Sequence, residues 1–465
     1  MNRIGNEFNK LVNRSLDRHV RLAVTGLSRA GKTAFITSLI NQLMHVSTNP
    51  RLPLFTAVRD GHLLGAKRVP QLDLHVPKFA YDEGMNALLS TPPAWPDPTR
   101  DVSQTRLALR YKPQKGPMKL LQDTATLYLD IVDYPGEWLL DLPLLDMNFI
   151  EWSAQQAKLM KGQREALAQD WLTLGAELDP FAPADEAQIE AISKAFTDYL
   201  YACKSEGGLH WVQPGRFVLP GELAGAPVLQ FFPFAWLQHY SEAELAQADE
   251  HSNFAMLAQR YKYYQQHVVK AFYRDHFSKF DRQIILVDCL QPLNAGPESF
   301  NDMRQALDQL MQSFKYGRSS LMRRLFSPRI DKVLFAATKA DHVTPEQHPN
   351  LVSLLQQMVN EAWQTASFEG IKMDCVSLSS IQATEPGFVS YHGQQMPALR
   401  GHTLDEQPQT IYPGEVPRRL PNENYWEQNG FDFVNFRPLA QQNDEPLPHI
   451  RMDKALEYLL GDKLQ

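Results

Sequence analysis

The stretch Gly26-Leu27-Ser28-Arg29-Ala30-Gly31-Lys32-Thr33 fits G-x-x-x-x-G-K-[ST], and no other feature limits the possible folds as sharply. Val20-Arg21-Leu22-Ala23-Val24-Thr25 before it is short and β-branched, whereas Ala34, Ile36, Leu39, Ile40 and Leu43 after it recur at helical spacing. The required strand, loop and helix therefore follow one another. Gly26 and Gly31 permit backbone angles that turn successive N–H groups inward, and the helix adds its positive dipole end, so the loop becomes an anion cradle. Such a cradle takes its contacts from residues 26–34: Gly26, Ser28, Arg29, Ala30, Gly31, Lys32, Thr33 and Ala34. Lys32 reaches the β- and γ-phosphates of a nucleotide, and the Thr33 hydroxyl ligates magnesium.

Two further motifs fall on strand ends downstream. Residues 105–111 alternate with period two and residues 126–132 continue as a second strand, which together read as an antiparallel hairpin ending in Asp133-Tyr134-Pro135-Gly136. In this D-x-x-G pattern the carboxylate of Asp133 holds magnesium, and Gly136 sets a backbone N–H against the γ-phosphate. After buried-type strands over 282–288 and 331–337 comes Thr338-Lys339-Ala340-Asp341, which fits [NT]-K-x-D. Its carboxylate accepts N1–H and N2–H of guanine. Adenine offers a ring acceptor on that edge and no 2-amino group, so Asp341 predicts GTP over ATP; the lost bonds amount to about 1.5–3 kcal/mol each. Lys339 lays its stem along the purine. Ser379-Ser380-Ile381, after an extended run, holds the place of the turn whose N–H meets guanine O6.

At 465 residues the chain exceeds one ordinary core. The motifs divide it into a core over 19–136 and 281–383, with a long Pro-rich stretch at 47–102 that lacks sustained periodicity. A mainly helical insertion is predicted over 137–280, with short extended runs at 217–220 and 228–232, then a Pro/Gly-rich insertion at 384–447 and a closing amphipathic helix at 448–465. A formal charge of −7 gives no nucleic-acid surface, and three scattered cysteines give neither a disulfide framework nor a zinc site. No run approaches the roughly 20 apolar residues of a membrane span, and no signal-peptide core is present, so a cytoplasmic location is expected. Residues 1–18 set Ile4, Phe8, Leu11, Val12 and Leu16 against Arg3, Lys10, Arg14 and Arg18. That pattern suits a helix packed on its own domain, or one in peripheral contact with an anionic inner membrane.

The ordered set of motifs resembles the Ras-like, translation-factor class of P-loop GTPases. More narrowly, residues 13–33 and 132–142 look like the YcjX family of bacterial stress-associated GTPases, and the likeness runs over essentially the whole chain. Membership implies an α/β Ras-like P-loop NTPase core, a mostly parallel sheet with one antiparallel hairpin strand and helices on both faces, carrying helical insertions. It also implies GTP and GDP as ligands with Mg2+, and induction with an envelope-stress regulon; it names no protein partner. Asp97-Pro98-Thr99 matches the first-switch tripeptide, which makes Thr99 the candidate magnesium and γ-phosphate sensor, with Thr91 and Thr105 as rivals.

Two departures bear on catalysis. Glu137 stands where Ras-like proteins place a water-orienting glutamine, and when ionised it cannot donate a hydrogen bond. It serves either as a base with raised pKa or in a structural salt bridge. Asp97 stands where some relatives build in an arginine finger, leaving Arg29 and Arg100 as substitutes. An absent finger forfeits about 10³–10⁵ in rate, so a slow GTPase is expected, working as a molecular switch. The alternative is a nucleotide-stabilised scaffold with little hydrolysis.

Overall fold

The computed structural model describes residues 18–27, 29–98, 101–115, 119, 123–312, 330–368, 370–391, 393–422, 424–428, 431, 433–442 and 445–465. Residues 1–17 of the expected N-terminal helix, Ser28, Thr99 and Arg100 lie outside the described residues, and Arg18, the last residue expected in that helix, instead begins a strand. The chain divides into two compact units, one of residues Met1–Tyr134, Phe280–Asn294 and Arg329–Gln465, the other of Pro135–Lys279 and Ala295–Pro328.

The first unit is built on a sheet of seven strands: β1 (Arg18–Gly26), β2 (Leu63–Val69), β3 (Ser103–Tyr111), β4 (Ala125–Asp133), β5 (Arg282–Val287), β6 (Lys332–Ala337) and β7 (Lys372–Ser377). Their order is β2-β3-β4-β1-β5-β6-β7. β4, β1, β5, β6 and β7 run parallel, while β3 runs antiparallel to both β4 and β2. This is the predicted P-loop α/β core with its hairpin. The central strands β5 and β6 are mostly Val, Ile, Leu, Ala and Phe and buried almost throughout, as burial on both faces requires. Phe35, Ile36, Leu39, Ile40 and Leu43 of the helix Lys32–Met44 share one core with Met452, Ala455, Leu456, Leu459 and Leu460 of the C-terminal helix. Each fully buried Leu or Ile there contributes roughly 1.5–3 kcal/mol.

Two stretches without visible periodicity hold regular structure. Within 47–102 lie the edge strand β2 and a helix at Tyr81–Leu88. β2 pairs on one side only and is half-exposed along most of its length, so its Lys67 and Arg68 interrupt any alternation without cost to the fold. The Pro/Gly-rich stretch after β7 folds into a three-stranded antiparallel sheet, β8 (Thr384–Tyr391), β9 (Gln394–His402) and β10 (Pro408–Ile411).

The second unit is mainly helical. Ile189, Ile192, Phe196, Tyr199, Leu200 and Cys203, spaced as one helix face, are all buried on the helix Glu186–Ser205. Trp152 stacks on Tyr261 with ring centroids 5.1 Å apart, and Trp171 stacks on Tyr199 at 5.5 Å. The helix Pro297–Gln312 clusters here as well, and its Asp302 forms a buried ion pair with Arg164. The runs read as extended are instead a helical turn at Gly215–Val218 and a 3-10 turn at Pro227–Leu229. The Asp141 carboxylate accepts the Gly215 N–H at 2.8 Å and so caps the first turn, and a proline opens the second.

Candidate functional site

Parallel strands deliver their carboxyl ends to one edge of a sheet, and the loops leaving them form the crevice. In β1 Gly26 lies opposite Leu286 of β5, and Val24 lies opposite Asp133 at the end of β4. Val287 of β5 is level with Ala337 of β6, which is level with Ser377 of β7. The phosphate loop, Asp133, the Thr338–Asp341 motif and the Ser379–Ile381 turn thus leave the same edge of the sheet.

Local sterics shape the phosphate loop. A Cβ on Gly26 would come within 2.6 Å of the Leu286 carbonyl oxygen, so only glycine lets β1 pass β5 there. Arg29 and Gly31 take left-handed angles, φ 62° and 83°, and the Ala30 N–H closes a turn onto the Leu27 carbonyl at 3.2 Å. The helix then starts at Lys32 with its first N–H groups directed at the loop. Lys32 Nζ donates to the Gly26 carbonyl at 3.2 Å, folding the lysine over the cradle it would share with phosphates.

At the other end Asp341 is only 4% exposed. Its Oδ2 accepts the Ala383 N–H at 2.7 Å, and His342 Nδ1 stands 3.3 Å from Oδ1. Burial pushes this carboxyl up, but His342, the Ala383 N–H and the Ser379 hydroxyl outweigh it and hold the group below the usual carboxylate range. Asp341 is therefore an anion at neutral pH, with lone pairs left for further donors. Its loop is braced from behind: the Ala340 N–H donates to the Leu378 carbonyl at 3.1 Å, and a His348 ring nitrogen lies 2.8 Å from the Ala340 carbonyl. Lys339, at φ 58°, directs Nζ to Asp288 Oδ2 at 2.7 Å. Burial raises the Asp288 carboxyl, yet Lys339 and the N–H groups of Gln291 and Leu290 bring it below its ordinary value. The Thr338 hydroxyl lies 3.4 Å from the Val287 carbonyl, tying β6 to β5 where the motif begins.

Between these ends opens a cavity of about 460 Å³, within the range of small-molecule sites. Arg29, Ala30, Gly31, Lys32, Thr33 and Ala34 line it together with Thr338, Lys339, Asp341, Ser379, Ser380 and Ile381. Residues predicted from two distant motifs and one loose match thus face one space. Asp133 is 1% exposed at the end of β4. Gly136 and Glu137 open a 3-10 segment, Gly136–Asp146, of the second unit. There Glu137 is 2% exposed and pairs with Lys204, Oε1 to Nζ 2.8 Å.

Most of one wall was not predicted from the sequence. Trp95, Pro96, Pro98, His342, Leu404, Asn435 and Phe436 also line the cavity. Trp95 and the prolines come from the Pro-rich stretch, and Leu404, Asn435 and Phe436 from the segment after β7. Apart from Pro98, which belongs to the first-switch match Asp97-Pro98-Thr99, no motif marks them; the one further signal was a tryptophan just upstream of that tripeptide.

The family model described as "YcjX-like family, DUF463" matches residues 20–464. The chain belongs to the YcjX-like family. It is 59% identical over 466 residues to the protein named "Ras-like GTPase YcjX" of Escherichia coli (strain K12), covering all of both chains. It is 45% identical over 478 residues to the protein of the same name from Shewanella oneidensis, covering 100% of this chain and 99% of that one. The YcjX-like match spans both compact units, so the helical unit is as much part of the family's architecture as the sheet.

Proposed function

We propose that this chain binds GTP and GDP with Mg2+ in the cavity and hydrolyses GTP to GDP and phosphate, slowly, as a molecular switch. The observation that carries the reading is the convergence of the phosphate loop and Asp341 on one cavity, supported by the printed names of the two relatives. Asp341 would accept the two guanine N–H groups beside its bonds to Ala383 and His342. Adenine would leave it buried with those sites unmet, a cost of about 1–3 kcal/mol or more for a charged group. The stem of Lys339 would flank the purine, and Lys32 would leave the Gly26 carbonyl for the β- and γ-phosphates.

Magnesium beside phosphates needs only one or two protein oxygens. The Thr33 hydroxyl and the buried Asp133 carboxylate suit that demand; among the described residues no cluster of three His, Cys, Asp or Glu competes for the ion. Bound there, the ion would neutralise charge on the phosphates. Gly136 would offer its N–H to the γ-phosphate, Thr99 would report its presence, and Arg29, on the cavity wall, is the built-in cation available in place of a finger.

The Glu137–Lys204 ion pair favours slow turnover, and it favours a second reading too, a nucleotide-stabilised scaffold with little hydrolysis. A role in bacterial envelope stress, with an unidentified protein partner, rests on the family resemblance alone. Among the described residues no helix is long and apolar enough to cross a membrane. A cytoplasmic place with peripheral contact through residues 1–18 agrees with that, and liposome sedimentation with and without those residues tests it; equal binding removes them as the anchor.

Phosphate release from GTP and from ATP, with magnesium, by the protein and its Lys32→Ala form tests the enzymatic reading. Slow release from GTP alone, abolished in the variant, is expected. No release from either, with guanine nucleotide still bound, selects the scaffold; equal release from ATP refutes guanine selectivity.

A further inference from the structure

The unpredicted wall has a specific geometry. Phe433-Val434-Asn435-Phe436 crosses the base end of the cavity and is tied down on both flanks. On one side the Phe433 N–H and carbonyl exchange two 3.2 Å hydrogen bonds with the Asn294 side chain. On the other, Phe436 bridges Thr403 in antiparallel fashion, and the Arg437 N–H donates to the His402 carbonyl at 2.8 Å. Two consecutive residues of this stretch meet different parts of the cavity wall. Asn435 Oδ1 lies 3.5 Å from Lys339 Nζ, on the lysine whose stem flanks the purine. The Phe436 carbonyl accepts the Trp95 indole N–H at 2.8 Å, and the Phe436 ring stands edge-on to His342 at 5.6 Å, next to Asp341.

We propose that residues 433–436 are a strap over the guanine end of the site, with Asn435 and Phe436 positioning the base and the Trp95–Phe436 hydrogen bond setting how fast nucleotide enters and leaves. This rests on the GTP/GDP reading given above. Trp95 and the strap both line the cavity beside Lys339 and Asp341, and the hydrogen bond joins these two. Phe436 is 1% exposed and braced against Gly401, where an added Cβ would meet its ring at 2.8 Å, so the strap is a packed element rather than a loose cover. Trp95 and Ala34 of the phosphate-loop helix both pack against the small core of Leu88, Ile381 and Leu447. Trp95 thus lines the same cavity as the phosphate loop and the strap.

A gate differs from a simple contact in its kinetics: opening it speeds entry and exit together, while a lost contact speeds exit alone. The test is a chase of radiolabelled GDP, carrying no bulky ribose label, from the full chain and from Trp95→Phe, Phe436→Ala and Phe436→Leu, with association measured alongside. Trp95→Phe keeps the ring and removes the donor; it should raise both rate constants about three- to tenfold, with Kd changed less than either. Phe436→Ala should speed dissociation about tenfold or more, and Phe436→Leu should restore most of the retention. Rates for Trp95→Phe and Phe436→Ala equal to those of the natural chain overturn the strap while leaving guanine binding intact. Failure of the natural chain to bind GDP at all overturns the guanine reading itself, and the strap with it.

Discussion

At the phosphate end of the cavity one continuous stretch, residues 29–34, lines the wall; at the base end the wall comes from separate stretches at 338–342, 379–381, 404 and 435–436, and Trp95, Pro96 and Pro98 line the same cavity. The first is shaped by what each residue does to its own backbone: Arg29 and Gly31 turn left-handed, and the helix begins at once. The second is shaped by where strands and insertions end, with Asp341 held by Ala383 across 42 residues of sequence and Trp95 by Phe436 across 341. On the proposed reading, phosphate recognition would come from one stretch and the base end of the site would be built from several, with Asp341 reading the base.

The largest effect should follow Lys32→Ala. Loss of a charge-assisted contact to two phosphates lowers nucleotide affinity about 10²–10⁴-fold, and titration calorimetry should find GTP, GDP and ATP affected alike. A loss confined to guanine nucleotides would break the division between the two ends.

The next concerns where the chain's own division falls. Asp133 closes a strand of the first unit, whereas Asp141, a few residues later, is buried in the second, accepting from the Tyr264 hydroxyl and the Gly215 N–H. Burial pushes Asp141 up to about 7 from an ordinary 3.8. The folded chain thus holds a proton that the unfolded chain releases, so this group's contribution is complete below about pH 4 and declines as pH rises toward 7. Asp141→Asn should flatten that slope, a change on the order of 1–4 kcal/mol across the window. Urea titrations at several pH values measure it; an unchanged slope would show Asp141 ionised in the fold.

At the phosphate end Gly26→Ala should cost about 1–3 kcal/mol of stability, read in the same denaturation, because its Cβ meets the Leu286 backbone. Wild-type stability would mean that β1 and β5 are not so closely apposed. The smallest effect should be Glu137→Gln. With Glu137 paired to Lys204, turnover should change within about threefold, against the 10²–10⁴ lost with a catalytic base; a loss of that size would return Glu137 to the attacking water.

The same contrast explains what was legible in the sequence. β1, the loop helix, β3, β4, β5 and β6 announce themselves through strand-like runs and helical spacing, and the motif residues follow because each sits where such an element stops. The helical face from Ile189 to Cys203 is equally plain. β2 was hidden because an edge strand with one partner tolerates Lys67 and Arg68. Glu137 left two readings open, and its ion-pair partner, Lys204, lies on a helix with no local relation to it in the sequence. Trp95, Asn435 and Phe436 were hidden most completely, since what brings them to the cavity is the path of two insertions and not the character of any residue.

The central claim, that this cavity reads guanine through Asp341, is tested most directly by binding of GDP and xanthosine diphosphate to the natural chain and to Asp341→Asn. The natural chain should prefer GDP, and the variant should reverse that preference, since an amide oxygen with its NH2 matches the xanthine edge. An unchanged preference in the variant would contradict the account.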